Sequence, residues 1–513
     1  MFGAAALAAG GGVALGATPA SAATVIVNSK AQLQAAWGNA ATSDITLAAD
    51  IGTCGTMSRS STTAVAVHGN GHALYGTCPG ELLRQTGVGA VQLFDMTLRD
   101  AMFRSDAEGA DGAAIDAPRA PVRIDHDLVA NNNSFERGAV NGKSVVAVSS
   151  RFVDNGKLAD NYGLGGYGAI VGGNVTVQGS TFTGNEAYGI GAGVNATGNV
   201  TITGSTFTGG GANDGAGAVW AANATISDST FSNIYEGGCV NPGCAVSVGG
   251  TVRIAHSTFT NDGADAGDGG AVGGATVAVT DSTFSDNNSG DGPGGAIHGG
   301  DVSVTRSRFQ GNQAVGSGGA IEADHSLLVV ASTFDANATE GTGGAISGGS
   351  GASLAVVNST ITGNFTDGRE GTAIFTAGPL RLQFDTIADN NGGERAPNAP
   401  AQIYGTVAAT LMPVRGTVVV GGAPGPDCVI TTTSGGSNYD DDGTCGFTGS
   451  GDVSHGPNPQ LGALADNGGP TRTMLPAASS PLVNAVVGTC LALDQRGVAR
   501  PRGPACDIGS VER

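Results

Sequence analysis

The stretch "STFSDNNSGDGPGGAIHGGDVSVTRSRFQGNQAVGSGGAIEADHSLLVVASTFDAN", residues 282–337, contains a unit of 25 residues that recurs, with Phe284, Phe309 and Phe334 at equal spacing. Before each Phe, apolar or β-branched residues alternate with small polar residues, as in "VSVTRSRF". This alternation predicts short strands with one apolar face. Gly-rich segments between the strands predict turns. A unit this small cannot close its own core, so the pattern indicates units that stack on one another.

The same anchor recurs along most of the chain, usually within an S-T-F triplet. It occurs at Phe135, Phe152, Phe182, Phe207, Phe231, Phe259, Phe284, Phe309, Phe334, Ile361 and Ile387. In a parallel stack, each residue lies beneath its equivalent in the next unit, so identical residues form columns. The sequence therefore predicts an all-β parallel β-helix of about eleven coils. With about 4.8 Å between coils, the rod is roughly 50 Å long.

Two further columns have geometric roles. Asn follows the anchor by three residues at Asn155, Asn185, Asn287, Asn312, Asn337, Asn364 and Asn390. Asn tolerates tight turns, and stacked amides can hydrogen-bond along the axis of the stack. Gly-Gly precedes Ala-Ile or Ala-Val at 269–272, 294–297, 318–321 and 343–346 and supplies another corner.

Composition limits the classes of partner. The chain of 513 residues has 89 Gly and a formal net charge of -20. Duplex binding needs clustered cations, so we expect no nucleic-acid partner. Residues 1–22 are rich in apolar and small residues and end in Ala20-Ser21-Ala22, which predicts a signal peptide and export. No later run is long enough to span a bilayer, so we expect no integral membrane insertion.

The eight cysteines fall into four close pairs, which favours neighbouring disulfides in an oxidising compartment. The pairs are Cys54 with Cys78, Cys239 with Cys244, Cys428 with Cys445, and Cys490 with Cys506. Zinc ligation would require CxxC-type spacing, which none of the pairs has.

Both ends of the rod require covers, because exposed strand edges aggregate. Residues 27–40 predict a short amphipathic helix with Ser29 as N-cap and Leu33, Ala36 and Trp37 on one face. The repeat fades after Asn391, and Pro and Gly then increase. We therefore divide the chain into an N-terminal cap with a first coil (23–63), repeats (64–395) and a C-terminal domain (396–513).

Two motifs resemble known families. The Gly-Gly-Ala-Ile and Phe-x-x-Asn elements, as at 294–297 and 309–312, resemble the repeats of polymorphic outer membrane proteins and of bacterial right-handed parallel β-helix repeat proteins. Residues 458–485 and 494–512 resemble the choice-of-anchor Q domain of exported bacterial proteins. The resemblance implies a right-handed, pectate-lyase-like solenoid with a β-rich C-terminal cap and an extracellular location, either secreted or loosely associated with the cell surface.

Several residues are candidates for chemistry on this scaffold. Stacking should bring His298 near Glu322 or Asp324, with His325 beside them, on one outer face. Asp125, His126 and Asp127 form a similar group. Such groups serve in polysaccharide lyases or hydrolases, but ionisable residues at solvated turns look the same. The sequence therefore assigns no catalytic residue. It contains no phosphate loop, dinucleotide fingerprint or HExxH pattern, so no cofactor-binding residue is assigned either.

Two acidic stretches offer hard oxygen ligands of the kind that suit Ca²⁺. They are 261–270, with Asp262, Asp265 and Asp268, and 438–446, with Asp440, Asp441 and Asp442. Neither fits a known Ca²⁺-binding repeat. We interpret them as exposed loops that attract cations, with bound Ca²⁺ as the alternative, and assign no metal ligand.

Long gaps between anchors mark the places where loops overhang the stack. The segment 157–168 carries Tyr162 and Tyr167, which could stack on sugar rings, and the segment 233–244 contains the close Cys pair. The sequence favours a non-catalytic, adhesin-like surface or matrix protein, with a polysaccharide, a cell-surface glycan or a surface protein as partner. The alternatives are a carbohydrate-active enzyme and a purely structural envelope rod.

Overall fold

The computed structural model describes residues 24–102, 113–134, 137–156, 166–213, 215–236, 243–264, 269–367, 370–392, 401–406, 413–422, 425–431 and 433–513. The chain forms a parallel β-helix of about 14 turns with almost no α-helix, which confirms the predicted fold. It has more coils than the predicted eleven, because coils without the Phe-x-x-Asn pattern extend the stack at both ends. Leu98 and Val419, for example, occupy anchor positions in such coils.

Two long parallel sheets form the main sides of the β-helix. The first sheet comprises Val25–Val27, Asp44–Leu47, Met57–Arg59, Val65–His68, Leu83–Gln85, Val91–Phe94, Ile115–Asp125, Val140–Val148, Ile170–Gln178, Val194–Ala196, Asn199–Thr203, Val219–Ala221, Asn223–Ser227, Val246–Val248, Thr251–Ala255, Val272–Thr280, Ile297–Thr305, Ile321–Val330, Ile346–Gly348, Ser353–Val357, Ile374–Thr376, Leu380–Gln383, Ile403–Gly405, Val414–Arg415, Cys428–Val429 and Ser434–Gly436.

The second sheet contains the anchors. It comprises Ile51–Thr53, Ala73–Gly76, Thr97–Arg99, Leu128–Ala130, Arg151–Val153, Thr181–Thr183, Thr206–Thr208, Thr230–Ser232, Thr258–Thr260, Thr283–Ser285, Arg308–Gln310, Thr333–Asp335, Thr360–Thr362, Thr386–Ala388, Val418–Val420 and Tyr439–Asp440. A third side has two-residue strands at Glu186–Ala187, Gly211–Ala212, Tyr235–Glu236, Gly263–Ala264, Gln313–Ala314, Ala338–Thr339, Phe365–Thr366 and Asn391–Gly392.

The core contains an uninterrupted aromatic stack. Eight Phe side chains of the second sheet point inward, with neighbouring ring centroids 4.4–4.9 Å apart and planes 2–8° from parallel. Stacked rings stabilise the core beyond the area they bury. Val129, and not Phe135, occupies the column position next to Phe152. The prediction for Phe135 was therefore wrong, and that residue itself lies outside the described residues.

The Asn column forms a buried amide ladder, as predicted. The side-chain oxygen of Asn312 accepts hydrogen bonds from the backbone N–H and the amide of Asn287, at 3.1 and 2.8 Å. Its own amide donates to the Phe284 carbonyl at 3.1 Å and to Asn337 at 2.9 Å. Asn312 therefore satisfies polar groups of both neighbouring coils, and its own amide is satisfied in return, as buried polar groups require.

Glycine is required at the predicted corners. Gly294 has φ 70°, in the left-handed region. A Cβ atom there would lie 2.2 Å from the carbonyl oxygen of Ile297. Only Gly fits both the backbone conformation and the space.

The N-terminal cap is the single helix of the described residues, Lys30–Gly38. Ser29 is its N-cap residue, without a side-chain hydrogen bond, and Leu33, Ala36 and Trp37 are buried against the first coil. The indole of Trp37 donates to the Arg84 carbonyl at 3.3 Å. The predicted cap helix is therefore confirmed. No helix in the described part of the chain is long and apolar enough to cross a membrane.

The C-terminal residues fold back along the outer face of the second sheet. The Gln495 amide donates to the hydroxyl of Thr333 at 2.9 Å and accepts from Thr360 at 2.6 Å, and Ser510 bonds to Thr386 at 3.1 Å. Strands of the two long sheets continue beyond residue 395 to Tyr439–Asp440. The division of the chain into domains stays a prediction.

Three of the four predicted disulfides lie wholly within the described residues. They are Cys54–Cys78, Cys428–Cys445 and Cys490–Cys506. Cys244 is also disulfide-bonded. Its predicted partner, Cys239, lies outside the described residues.

Candidate functional site

A cleft opens on the third side of the β-helix, where the amide ladder is interrupted. In the coils anchored by Phe207 and Phe231, the ladder position holds Gly210 and Ile234 instead of Asn. The cleft has a volume of about 430 Å³. We call it the tyrosine cleft; it is lined by Gly156, Glu186, Ala187, Tyr188, Gly210, Gly211, Ala212, Asn213 and Tyr235.

The floor of the tyrosine cleft consists of backbone with almost no side chain. Gly211 pairs in register with Glu186, and the backbone N–H of Tyr235 donates to the Gly210 carbonyl at 3.2 Å. Gly210 has φ 86°, and a Cβ atom there would lie 2.1 Å from the carbonyl oxygen of Asn185. Any larger residue at this position would require the backbone to move. The two glycines therefore leave a gap, one coil high, between Glu186 and Tyr235.

The walls carry aromatic side chains and one carboxylate. Tyr188 and Tyr235 are 40% and 56% exposed, although large apolar surfaces are normally covered. The backbone N–H of Tyr188 donates to the Gly166 carbonyl at 3.0 Å. The half-buried ring of Tyr167 lies beside Gly189, since a Cβ on Gly189 would be 3.8 Å from it. Tyr faces pack against the C–H faces of sugars, while carboxylates accept bonds from sugar hydroxyls.

The sequence identified only part of this site. Tyr235 lines the cleft and belongs to the segment 233–244 that the spacing indicated. Tyr167 does not line the cleft but lies beside Gly189, the neighbour of Tyr188, and Tyr162 lies outside the described residues. The sequence analysis missed Glu186 and Tyr188. The signal that could have found them is the substitution of the ladder Asn by Gly210 and Ile234, because it marks the coils in which the third side changes.

The structure also brings His298, Glu322 and Asp324 together on the outer face of the first sheet, as predicted. His298 pairs in register with Glu322, and its Nε2 lies 3.4 Å from Asp324 Oδ1. Burial raises the pKa of Glu322 to about 7, although a hydrogen bond with Ser347 lowers it. His325, next along the strand, is exposed. A carboxyl that titrates near neutral pH beside an imidazole can act in general acid–base chemistry.

The group at Asp125, His126 and Asp127 has a structural role. Asp127 is buried, and its carboxyl accepts from the backbone N–H groups of Met96 at 2.8 Å and Asp125 at 3.1 Å. Burial raises its pKa to about 7. It occupies the position where the following coil has Ser150. His126 is exposed and bonds to Asp125 at 2.6 Å.

Each acidic stretch contains a buried Asp, although the sequence analysis interpreted both stretches as exposed loops. Asp262 is buried in the amide ladder, where its carboxyl accepts from the backbone N–H of Ile234 at 3.0 Å. Asp440 is also buried and accepts from Gly443 N–H at 2.7 Å. The prediction of exposure was wrong for both, because each carboxyl satisfies backbone donors. Asp265 and Asp268 lie outside the described residues.

Metal binding has no ready-made site in the described residues. Asp441 is exposed and Asp442 is half-buried, and their oxygens accept from the backbone N–H groups of Gly421 and Asp427. In the part of the chain that the structure describes, no three His, Cys, Asp or Glu side chains are arranged to hold a metal ion. Ca²⁺ binding stays an untested alternative.

Comparison with known families agrees with this geometry. Residues 217–387 match the right-handed β-helix region family, and residues 24–234 match the pectate lyase-like adhesive domain family. The two matches and the observed solenoid support a right-handed β-helix repeat protein. No curated protein and no solved structure matches it. In this β-helix repeat protein, most of the tyrosine cleft lies within the adhesive-domain match, whereas His298 and Glu322 lie within the β-helix match.

Proposed function

We propose that this β-helix repeat protein is an exported, adhesin-like surface or matrix protein that binds glycans at the tyrosine cleft. The observation that carries the proposal is the pair of exposed tyrosines, Tyr188 and Tyr235, beside Glu186 in a cleft of about 430 Å³. That volume lies in the range of small-ligand sites. The match to an adhesive domain over residues 24–234 supports a binding role.

The extracellular location rests on separate support. The disulfides Cys54–Cys78, Cys428–Cys445 and Cys490–Cys506 are typical of oxidising compartments. The predicted signal peptide at 1–22 and the resemblance of residues 458–512 to the choice-of-anchor Q domain favour export and surface association. A surface protein remains the alternative partner.

The test is retention of the chain on immobilised neutral glycans, with variants that change only the cleft. The double variant Tyr188→Ala and Tyr235→Ala should weaken retention by tenfold or more, since aromatic contacts contribute much of the affinity at such sites. Phe365→Ala is the matched control. Phe365 is 38% exposed in an equivalent third-side strand, but its coil keeps the ladder Asn. Equal retention of all three proteins would refute the assignment.

A second candidate function is favoured by one observation, the raised pKa of Glu322 beside His298. We propose polysaccharide cleavage on the first sheet as this alternative. New reducing or unsaturated chain ends that vanish in Glu322→Gln and in His298→Ala would establish it. Retention of glycans without any new chain ends would leave the adhesin role as the function.

A further inference from the structure

A second cleft lies where the C-terminal residues meet the outer face of the second sheet. It has a volume of about 350 Å³, and three of its lining residues are arginines: Arg306, Arg308 and Arg472. The whole chain has only 23 Lys and Arg residues and a net charge of -20. Three guanidinium groups around one cleft are therefore a marked local concentration of cationic side chains. We call this the arginine cleft.

Two of the guanidinium groups are held in place by carboxylates. Arg306 donates through Nε and Nη2 to Asp281, at 2.7 and 2.6 Å. Arg308 uses the same two nitrogens towards Asp335, at 3.1 and 3.2 Å. Such two-point pairs fix the orientation of the guanidinium plane. In each pair the Nη1 group takes no part, so it is available to donate to a ligand.

Within the described residues, the third guanidinium has no carboxylate partner. Arg472 is exposed, and the part of the chain that the structure describes offers its guanidinium no hydrogen bond or ion pair. Its backbone is nevertheless fixed, because the Arg472 carbonyl accepts from Thr333 at 2.5 Å and from Gln495 at 3.2 Å. Arg472 therefore presents an uncompensated charge from a rigid position.

The other lining groups indicate which further groups the ligand carries beside its negative charge. Thr283 contributes a hydroxyl on the second sheet, and Asp281 and Asp466 contribute carboxylates. Carboxylates and hydroxyls accept hydrogen bonds from sugar hydroxyls, and the two carboxylates repel a second anionic group. The strong negative charge of the whole protein also disfavours polyanions.

We propose that the arginine cleft binds a sugar that carries a single oxyanion, either a carboxylate or a sulfate. The oxyanion contacts Arg472 and the free Nη1 groups of Arg306 and Arg308. The sugar hydroxyls donate to Asp281 and Asp466. This site is separate from the tyrosine cleft, so the inference does not rest on the proposed function.

The test is titration of the full chain with glucuronate and glucose 6-sulfate, followed by ligand-observed NMR. Glucose serves as the neutral sugar, and acetate and inorganic sulfate serve as the bare anions. We expect saturable binding of at least one acidic sugar, and no binding of glucose that depends on Arg472. Which acidic sugar binds distinguishes a carboxylate from a sulfate. Binding of the bare anions as strongly as of the sugars would overturn the assignment to a sugar.

Matched variants locate the site. Arg472→Gln should weaken binding of the acidic sugar about tenfold, since hydrogen bonds to charged groups are the strong ones. Arg253→Gln is the control, because Arg253 is exposed on the first sheet and its loss changes the net charge equally. Tyr235→Ala should leave this binding unchanged even where it abolishes retention on neutral glycans. Equal weakening by Arg472→Gln and Arg253→Gln would show only a general effect of charge.

Discussion

The coils that carry Asn287, Asn312 and Asn337 differ from the coils that carry Gly210 and Ile234 in the amide ladder. In both groups the Phe stack continues, with Phe207–Phe231 centroids 4.8 Å apart and Phe284–Phe309 centroids 4.9 Å apart. The third side changes at the interrupted ladder, and there the tyrosine cleft opens. This difference indicates that the aromatic stack holds the coils together, so that the amide ladder can be interrupted where the cleft forms.

The largest expected effect tests whether the aromatic stack is equally important in both regions. Phe284→Ala and Phe207→Ala each remove a fully buried ring between two others. Each should lower the free energy of unfolding by about 3–5 kcal/mol, through lost burial and the cavity left behind. Denaturant unfolding measures both values. A much smaller loss at Phe207 would show that the core loosens beneath the cleft, which contradicts the comparison.

The next effect tests the ladder itself. Asn312→Ile copies the residue at position 234 into a regular coil. It leaves the backbone N–H and the amide of Asn287 without their acceptor. Buried donors without partners are costly, so the free energy of unfolding should fall by about 2–3 kcal/mol. An unchanged value in denaturant unfolding would mean that the ladder is dispensable everywhere and not only at the cleft.

A smaller, pH-dependent effect on the free energy of unfolding comes from Asp262, which lies next to the interruption of the amide ladder. Burial raises the pKa of Asp262 from 3.8 to about 8, so the folded chain holds a proton there that the unfolded chain releases. The stability from this group is complete below the unfolded pKa and is lost as the pH rises towards about 8. Asp262→Asn should therefore stabilise the protein by roughly 1–3 kcal/mol near neutral pH.

The gain from Asp262→Asn should shrink as the pH falls towards 4, the ordinary range of the Asp pKa. Thermal unfolding of both proteins across this pH range measures the difference in their stability. Taking this difference cancels the contributions of other buried acids, such as Asp385 and Asp427, because both proteins contain them. A gain of the same size at every pH would show that the carboxyl of Asp262 does not titrate as described.

The smallest effect on stability concerns the cleft floor. Gly211→Gln places a side chain in the gap between Glu186 and Tyr235. It should change the free energy of unfolding by no more than about 0.5 kcal/mol, as surface substitutions usually do. It should nevertheless reduce retention on neutral glycans by tenfold or more, because it fills the binding volume. Glycan retention and denaturant unfolding of the same sample separate the two outcomes.

The sequence predicted the regular part of the molecule well because each repeated residue has a single structural role. The Phe spacing, the Asn column and the Gly corners each correspond to an observed stack, ladder or turn. Coils at the ends were missed, since Leu98 and Val419 fill the anchor position without the motif. The cap helix was found from its amphipathic pattern, including Trp37.

The candidate sites were less predictable because they depend on missing side chains and on contacts between segments that are far apart in the sequence. The stacking of one Gly-Gly-Ala-Ile corner on the next, 24 residues on, correctly placed His298 near Glu322 and Asp324. The tyrosine cleft requires the absence of side chains at Gly210 and Gly211, which a search for reactive residues does not detect. The arginine cleft joins Arg308 to Arg472, and no repeat relates positions so far apart. The sequence analysis placed Asp262 in an exposed loop, because the neighbouring acidic residues obscured its position in the Asn column.

The C-terminal return over the second sheet has a mechanical consequence. Gln495 bonds to Thr333 and Thr360 in neighbouring coils, and Ser510 bonds to Thr386 in the next. These bonds tie the C-terminal residues to three successive coils of the second sheet. Resistance to force depends on the rate of unfolding along the pulled path. In the proposed adhesin role, a force on the C-terminal residues would have to break these bonds before it could unravel the stack.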